Sequence, residues 1–244
     1  MRLLLISNST NKGEEFLTYP LPDIKNFLGE KPIECLFIPY ASVRKSWDDL
    51  EVLVNERFNR IGYTIKSIHK FANPVEAVKN AKVIVVSGGS TWNLLHNIHK
   101  NNLIAPICER VSSGVPYIGW SAGANLACPT IMTTNDMPII DPLGFDALNL
   151  VEFQINPHYL PTEDDQNAKT HGGETREERI IEFIAVNPDK YVVGLREGCM
   201  LLVENEKITL IGNKPPVIFI SKSNKHKITE IIDKFNCDLR IFVY

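Results

Sequence analysis

Pro116-Tyr117-Ile118-Gly119-Trp120-Ser121-Ala122-Gly123-Ala124-Asn125-Leu126-Ala127 is the stretch that decides how this chain folds. Pro116–Trp120 reads as a strand, Ala122–Ala127 as the helix after it, and between them stands the pattern G-x-S-x-G. A strand that turns into a helix this tightly leaves no room for bulky side chains beside the turn, so glycines bracket it. The serine is then held in a strained backbone with its hydroxyl exposed above the sheet. The helix amides behind it favour developing negative charge. Ser121 is therefore a candidate nucleophile; the plainer reading is a turn tightened by glycines.

The alternation continues on both sides. Leu3–Ile6, Cys35-Leu36-Phe37-Ile38-Pro39 and Lys82-Val83-Ile84-Val85-Val86 read as strands, the last an unbroken β-branched run suited to burial on both faces. Ile65 and Ile68 mark a short strand. Ser46 caps a helix carrying Leu50, Leu53, Val54, Phe58 and Ile61, ended by Gly62. Asn73-Pro74 opens a short helix to about Asn80. Ser87-Gly88-Gly89-Ser90-Thr91 leads into a helix with Leu94, Leu95 and Ile98, and another through Ile104, Ile107 and Val111 stops at Gly114. This βαβα order predicts a three-layer α/β/α fold with a mostly parallel central sheet. Further on, Thr175-Arg176-Glu177-Glu178 is a capping box ahead of Ile180, Ile181, Phe183 and Ile184. Tyr191–Leu195 is a strand, Met200–Val203 and Ile208–Ile211 a C-terminal β-hairpin, and Val217–Ile220 and Leu239–Val243 edge strands. One domain over residues 1–244 is expected.

Composition narrows the class. Net charge is −3 over 244 residues, with no basic block, which argues against nucleic acid as a partner. No apolar run approaches membrane-spanning length. The opening Met1–Ile6 run is cut off by Ser7–Lys12, so it reads as a buried strand rather than a leader, and a cytoplasmic location follows. Five cysteines, none spaced C-x-x-C, argue for reduced thiols and against a zinc knuckle or a disulfide framework. No metal or cofactor is expected.

A serine hydroxyl needs a base. Of six histidines, His158 stands out, because it follows the strand-like Phe153-Gln154-Ile155-Asn156-Pro157. Catalytic groups gather at such strand ends. His96 and His99 are three apart on a helix, but no carboxylate shares their spacing. His69, His171 and His226 sit in polar surroundings and carry no signal. The base needs an orienting carboxylate. Asp136 gives the order Ser…Asp…His of α/β hydrolases. Glu197, just after the strand Tyr191–Leu195, is the alternative acid, and Asp141 and Asp146 are weaker candidates. The backbone N–H groups of Ala122 and Gly89 are the candidate oxyanion donors. A phosphate cradle at Gly88-Gly89 would lack the lysine of a P-loop and the third glycine of a dinucleotide fingerprint.

Together these motifs resemble the peptidase E family of serine peptidases, the α-aspartyl dipeptidases. Ser7-Asn8-Ser9-Thr10, Gly88-Gly89-Ser90-Thr91, Gly119–Ala127, Thr133-Thr134-Asn135-Asp136-Met137-Pro138-Ile139, Gln154-Ile155-Asn156-Pro157-His158 and Gly173-Glu174-Thr175-Arg176-Glu177 carry the likeness in order. It fades after Gly212. The resemblance implies a metal-free serine hydrolase of short peptides with an aspartate at the amino end. It also implies a fold like that of class I glutamine amidotransferase domains. Ser121 and His158 match the family's nucleophile and base, and both Asp136 and Glu197 match positions assigned to its acid. Arg176, with Asn135, is expected to bind substrate. An arginine fork suits an aspartate carboxylate, whereas read alone Arg176 would pair with Glu177 or Glu178 on an exposed helix face. Three departures stand out: Ser90 replaces a frequent glycine, Arg196 a common proline, and the segment Thr162–His171 is longer than in bacterial members.

Small Asp-Xaa peptides are thus the expected partners, acting on a monomer or homodimer. Two other readings compete. One is a cyanophycinase-like hydrolase or esterase using the same elbow, which would ignore α-aspartyl peptides. The other is a catalytically silent small-molecule binder, whose Ser121 would resist serine-directed acylating reagents.

Overall fold

The computed structural model describes residues 1–165 and 173–244. In chain order its elements are β1 (Arg2–Ile6), α1 (Leu21–Leu28), β2 (Glu34–Ile38), α2 (Trp47–Asn59), β3 (Thr64–Ser67), α3 (Pro74–Asn80), β4 (Ile84–Val86), α4 (Thr91–Lys100), α5 (Ile104–Ser112), β5 (Tyr117–Trp120), α6 (Ala122–Leu126), β6 (Gln154–Tyr159), α7 (Arg176–Val186), β7 (Tyr191–Arg196), β8 (Met200–Glu204), β9 (Lys207–Ile211), β10 (Val217–Ile220), α8 (Ile228–Lys234) and β11 (Arg240–Val243).

The central sheet runs β3-β2-β4-β5-β1-β8-β9. Its first five strands are parallel, and the β8–β9 hairpin adds to β1 antiparallel. Alternate residues of the inner strands face different cores. Leu3 and Leu5 join Leu36, Ile84 and Tyr117 on one face, with Leu94 of α4 and Ile107 of α5. Leu4 and Ile6 join Phe37, Val85 and Trp120 on the other, with Ile24 of α1 and Val54 and Phe58 of α2. A strand covered on both faces reads as a continuous apolar run, and these do. The helix starts follow capping chemistry. Ser46 Oγ accepts the Asp49 N–H at 3.1 Å, Asn73 caps α3 with proline at its first position, and Thr175 and Glu178 form both halves of a capping box on α7.

The last third adds a second sheet to the expected α/β architecture. β6 and β7 pair parallel in a second, four-stranded sheet of order β11-β10-β7-β6. β10, expected at an edge, lies inside it with all four residues buried, because β11 covers its free side. α7 packs on one face through Ile180 and Ile184. Ile155, Val193 and Leu195 on the other face join the core cluster of the central sheet. α1 and α8 were not foreseen: Pro22 in the first turn of α1 and the shortness of α8 hide their periodicity.

Candidate active site

The elbow is assembled first. β5 ends at Trp120, α6 begins at Ala122, and Ser121 between them has φ +52° and ψ −110°. That is a strained conformation for a non-glycine residue, costing about 1–3 kcal/mol. The flanking glycines are steric requirements. A Cβ on Gly119 would lie 2.4 Å from the Gly123 carbonyl oxygen, and one on Gly123 would lie 2.4 Å from that of Val86. Both obstacles are backbone and cannot swing aside. The Ser121 N–H donates to the Ile6 carbonyl at 2.9 Å, which fixes the turn to the end of β1.

His158 reaches the elbow from the second sheet. It has φ +55° and lies at a register shift in the β6–β7 ladder between Pro157 and Tyr159. Such irregularities re-aim a side chain. His158 Nε2 lies 2.8 Å from Ser121 Oγ, and Nδ1 lies 2.7 Å from Glu197 Oε1. Glu197 follows β7 directly, so the parallel pairing of β6 and β7 brings Glu197 and His158 together. The two side chains are 33% and 54% exposed, so solvent screens their charge interaction in part.

Asp136, the acid favoured by chain order, is engaged elsewhere. Its Oδ2 accepts the Thr91 N–H at 2.7 Å, and its carbonyl accepts Trp92 Nε1–H at 3.0 Å. It is thus tied to the first turn of α4, where an anion complements the helix dipole. The imidazole of His158 is hydrogen-bonded to Ser121 and Glu197, and neither Asp141 nor Asp146 is among its hydrogen-bond partners in the described residues. The carbonyl oxygens of Asp141 and Asp146 lie 2.7 Å from His96 Nδ1 and 2.9 Å from His99 Nε2. One ring nitrogen of each of the paired histidines of α4 is thus taken up by a backbone carbonyl.

The Gly88-Gly89 loop lies against the elbow, since a Cβ on Gly88 would come within 3.0 Å of Ser121 Cβ. Gly89 has φ +138°, and a Cβ there would meet the Ala41 carbonyl oxygen at 2.4 Å. The Gly89 N–H has no acceptor among the described residues. Ala122 N–H is the first amide of α6.

Two cavities adjoin the site. One of about 350 Å³ is lined by Thr133, Asn135, Asp136, Asn156, Arg176 and Arg179, among others. The other, about 180 Å³, is lined by His158, Glu197, Arg176, Arg196 and Lys214, among others. Arg176 is common to both. Its Nη1 is buried and has no hydrogen-bond partner among the described residues. Burial lowers the pKa of this guanidinium, against the charges of Glu197 and Asp165. A buried cationic nitrogen without a partner is costly, so a ligand acceptor would be favoured there. Asn135, expected to bind substrate, lines the first cavity but has both amide ends in use. Its Nδ2 donates to the Pro157 carbonyl at 2.7 Å, and its Oδ1 accepts from Asn156 Nδ2 at 2.8 Å. It braces the strand that carries His158.

Arg196 pairs with Asp164 at 2.5 Å. Residues 166–171 of the long segment Thr162–His171, including His171 itself, lie outside the described residues. One trio has metal-ligand spacing among the described residues, Asp48, Glu51 and His69. The Lys70 ammonium already pairs with both carboxylates of that trio. Ser7 and Asn8, whose side chains touch the site's backbone, carry part of the family likeness in the sequence but were given no role there.

Comparison with known proteins follows the same lines. Residues 3–211 match the model of Peptidase family S51. A protein named peptidase E from Nostoc sp. (strain PCC 7120) is 51% identical to this chain, over 89% of this chain and 88% of its own length. Peptidase E of Salmonella arizonae is 45% identical over 90% of this chain and 93% of its own. The solved structure of a peptidase from an acI-B1 Actinobacterium superposes with a TM-score of 0.61 at 20% identity, covering 88% of each chain. No helix among the described residues is long and apolar enough to cross a membrane.

Proposed function

The chain belongs to peptidase family S51, and from that premise we propose that it is a serine-type dipeptidase cleaving Asp-Xaa peptides through an acyl-enzyme on Ser121. The observation that carries the proposal is the continuous chain of contacts from Ser121 Oγ to His158 Nε2 at 2.8 Å and from His158 Nδ1 to Glu197 Oε1 at 2.7 Å. His158 takes the Ser121 proton on Nε2 as Oγ attacks the carbonyl of the amino-terminal aspartate. Glu197 holds the Nδ1–H tautomer and stabilises the imidazolium that forms. The amides of Gly89 and Ala122 receive the oxyanion. His158 then returns its proton to the leaving amine, and water, activated by the same imidazole, releases aspartate.

Substrate choice falls to the two cavities. Arg176 offers its buried Nη1 to the aspartate side chain. Asp136, in the wall of the larger cavity, offers a carboxylate to the free α-amino group. Glu197 rather than Asp136 is taken as the acid, because the former is hydrogen-bonded to His158 and the latter to the start of α4.

The test is hydrolysis of Asp-Leu, Glu-Leu, Asn-Leu and Leu-Leu with EDTA present. Cleavage confined to Asp-Leu is expected. Cleavage of esters or β-linked aspartyl peptides with Asp-Leu untouched would contradict the proposal. So would a Ser121 inert to fluorophosphonates.

A further inference from the structure

The candidate triad is split between the two sheets. Ser121 sits at the end of a central-sheet strand, whereas His158 sits on β6 and Glu197 directly after its neighbour β7 in the second sheet. Nothing in either sheet's own ladder sets the distance between them. Three consecutive residues at the end of β1 do. The Ile6 carbonyl accepts the Ser121 N–H at 2.9 Å. Ser7 Oγ accepts the His158 N–H at 2.9 Å. Asn8 Oδ1 accepts the N–H of Gly198, the residue after Glu197, at 2.8 Å.

Each link is itself held. Ser7 Oγ–H donates to the Leu195 carbonyl at 2.8 Å, so one hydroxyl spans both strands that carry base and acid. Its own N–H donates to the Cys199 carbonyl at 3.0 Å. The Asn8 amide is oriented by Nδ2–H bonds to the Thr10 carbonyl at 2.8 Å and Asn11 Oδ1 at 3.1 Å. Tyr19 Oη lies 2.8 Å from Asn8 Oδ1 and 2.7 Å from its carbonyl oxygen. Both Ser7 and Asn8 are buried. β1 in turn is fixed by its ladders to β5 and β8, in which Ile6 pairs with Trp120 and with Met200. A buried polar side chain placed on a seam is retained only if its partners are satisfied, and these are.

We infer that Ser7 and Asn8 are positioning residues that register the His158–Glu197 pair against Ser121. The inference rests on the triad proposed above. Ser7 fixes the backbone of a base held at positive φ, a conformation that persists only when its surroundings over-determine it. Asn8 fixes the turn that presents the acid. Neither touches the reacting atoms, so each acts through geometry alone.

The experiment compares Ser7→Ala, Asn8→Ala and the conservative Ser7→Thr with the wild-type chain on Asp-Leu. It also records the downfield proton resonance of the His158 Nδ1–H. Misplacing a catalytic group by about 1 Å can cost on the order of 100-fold. Each alanine variant is therefore expected to lose roughly 10- to 100-fold in kcat with KM nearly unchanged. Each is also expected to shift or lose the resonance, and Ser7→Thr to recover most of the rate. A purely structural role would lower Tm while leaving kcat per folded molecule and the resonance in place, and that result overturns the inference. If the alanine variants do not fold, wild-type amide exchange decides: slow exchange at His158 and Gly198 is expected, and exchange as fast as in a free loop overturns the clamp. The exchange result stands even if the wild-type chain fails to cleave Asp-Leu, so failure of the activity and failure of the clamp are read separately.

Discussion

The loop 133–138 and the turn 196–199 each carry a carboxylate to the rim of the site, and they are built in opposite ways. The first is fastened along its length. Asp136 is bound by the Thr91 amide, its own N–H donates to Thr134 Oγ1 at 3.2 Å, and Asn135 grips the Pro157 carbonyl. The second is held at its backbone, by Asn8 at the Gly198 amide and by the Ser7 N–H at the Cys199 carbonyl, and at the Arg196 side chain by Asp164, yet it leaves the Glu197 side chain half in solvent against His158. A carboxylate consumed by a helix terminus is a fixture of the wall. One presented to an imidazole can respond when a proton moves. In the proposed mechanism this difference divides the labour: the 133–138 loop shapes the pocket, and the 196–199 turn serves the chemistry.

The largest effect should come from the serine that both regions serve. Ser121→Ala is expected to lower kcat by roughly 10⁵- to 10⁶-fold, the scale seen when a nucleophile is removed from a triad. Circular dichroism should be unchanged. Residual activity within tenfold of wild type would remove both regions from the account at once.

Next comes Arg176, which lines the cavities on both sides of the comparison. Arg176→Ala should cost ~2–5 kcal/mol in kcat/KM for Asp-Leu, the range for truncating one member of a buried charged pair. The loss should be much smaller for poor substrates without a carboxylate. An equal loss for Asp-Leu and Asn-Leu would mean that Arg176 supports the fold rather than the aspartate side chain.

Asp136→Asn sharpens the contrast directly. Its effect should fall on KM, by roughly tenfold, if a carboxylate of the wall meets the substrate's amino group. A loss confined to kcat would return Asp136 to the proton relay.

The smallest effect concerns the start of α7, which carries Arg176. Thr175→Ala should cost about 1 kcal/mol of stability through loss of the cap, measured by urea denaturation. The pKa of Glu178 is lowered by its bonds to the Thr175 backbone and hydroxyl, below its usual 4.5. A carboxylate whose folded pKa is depressed contributes stability that is present above the unfolded value and lost as pH falls through the folded one. The cap's contribution should therefore be full at neutral pH and fade below about pH 4.5. Glu178→Ala should flatten that part of the stability profile, and an unchanged profile would show that the box does not matter.

The site was unequally legible in the sequence for a physical reason. The elbow is constrained within five residues, because Gly119 and Gly123 meet backbone atoms at 2.4 Å, and local sterics write themselves into local sequence. The caps at Ser46, Asn73 and Thr175 were readable for the same reason. The acid was not. Asp136 and Glu197 differ only in what the pairing of β6 with β7 brings near His158, and pairing between strands distant in sequence leaves no local pattern. β10 shows the same limit: an apolar run of four reads alike at an edge or in the middle of a sheet. Ser7 and Asn8 were invisible as site residues because their partners lie 151 and 190 residues away.

The measurement that bears most directly on the account is kcat for Asp-Leu of Glu197→Gln set against Asp136→Asn, at saturating substrate and neutral pH. Glu197→Gln should fall by roughly 10²- to 10⁴-fold, as expected when the carboxylate that orients a catalytic imidazole is neutralised. Asp136→Asn should stay within a few-fold of wild type in kcat. A collapse of kcat in Asp136→Asn with Glu197→Gln nearly unimpaired would contradict the assignment and place the proton relay in the other loop.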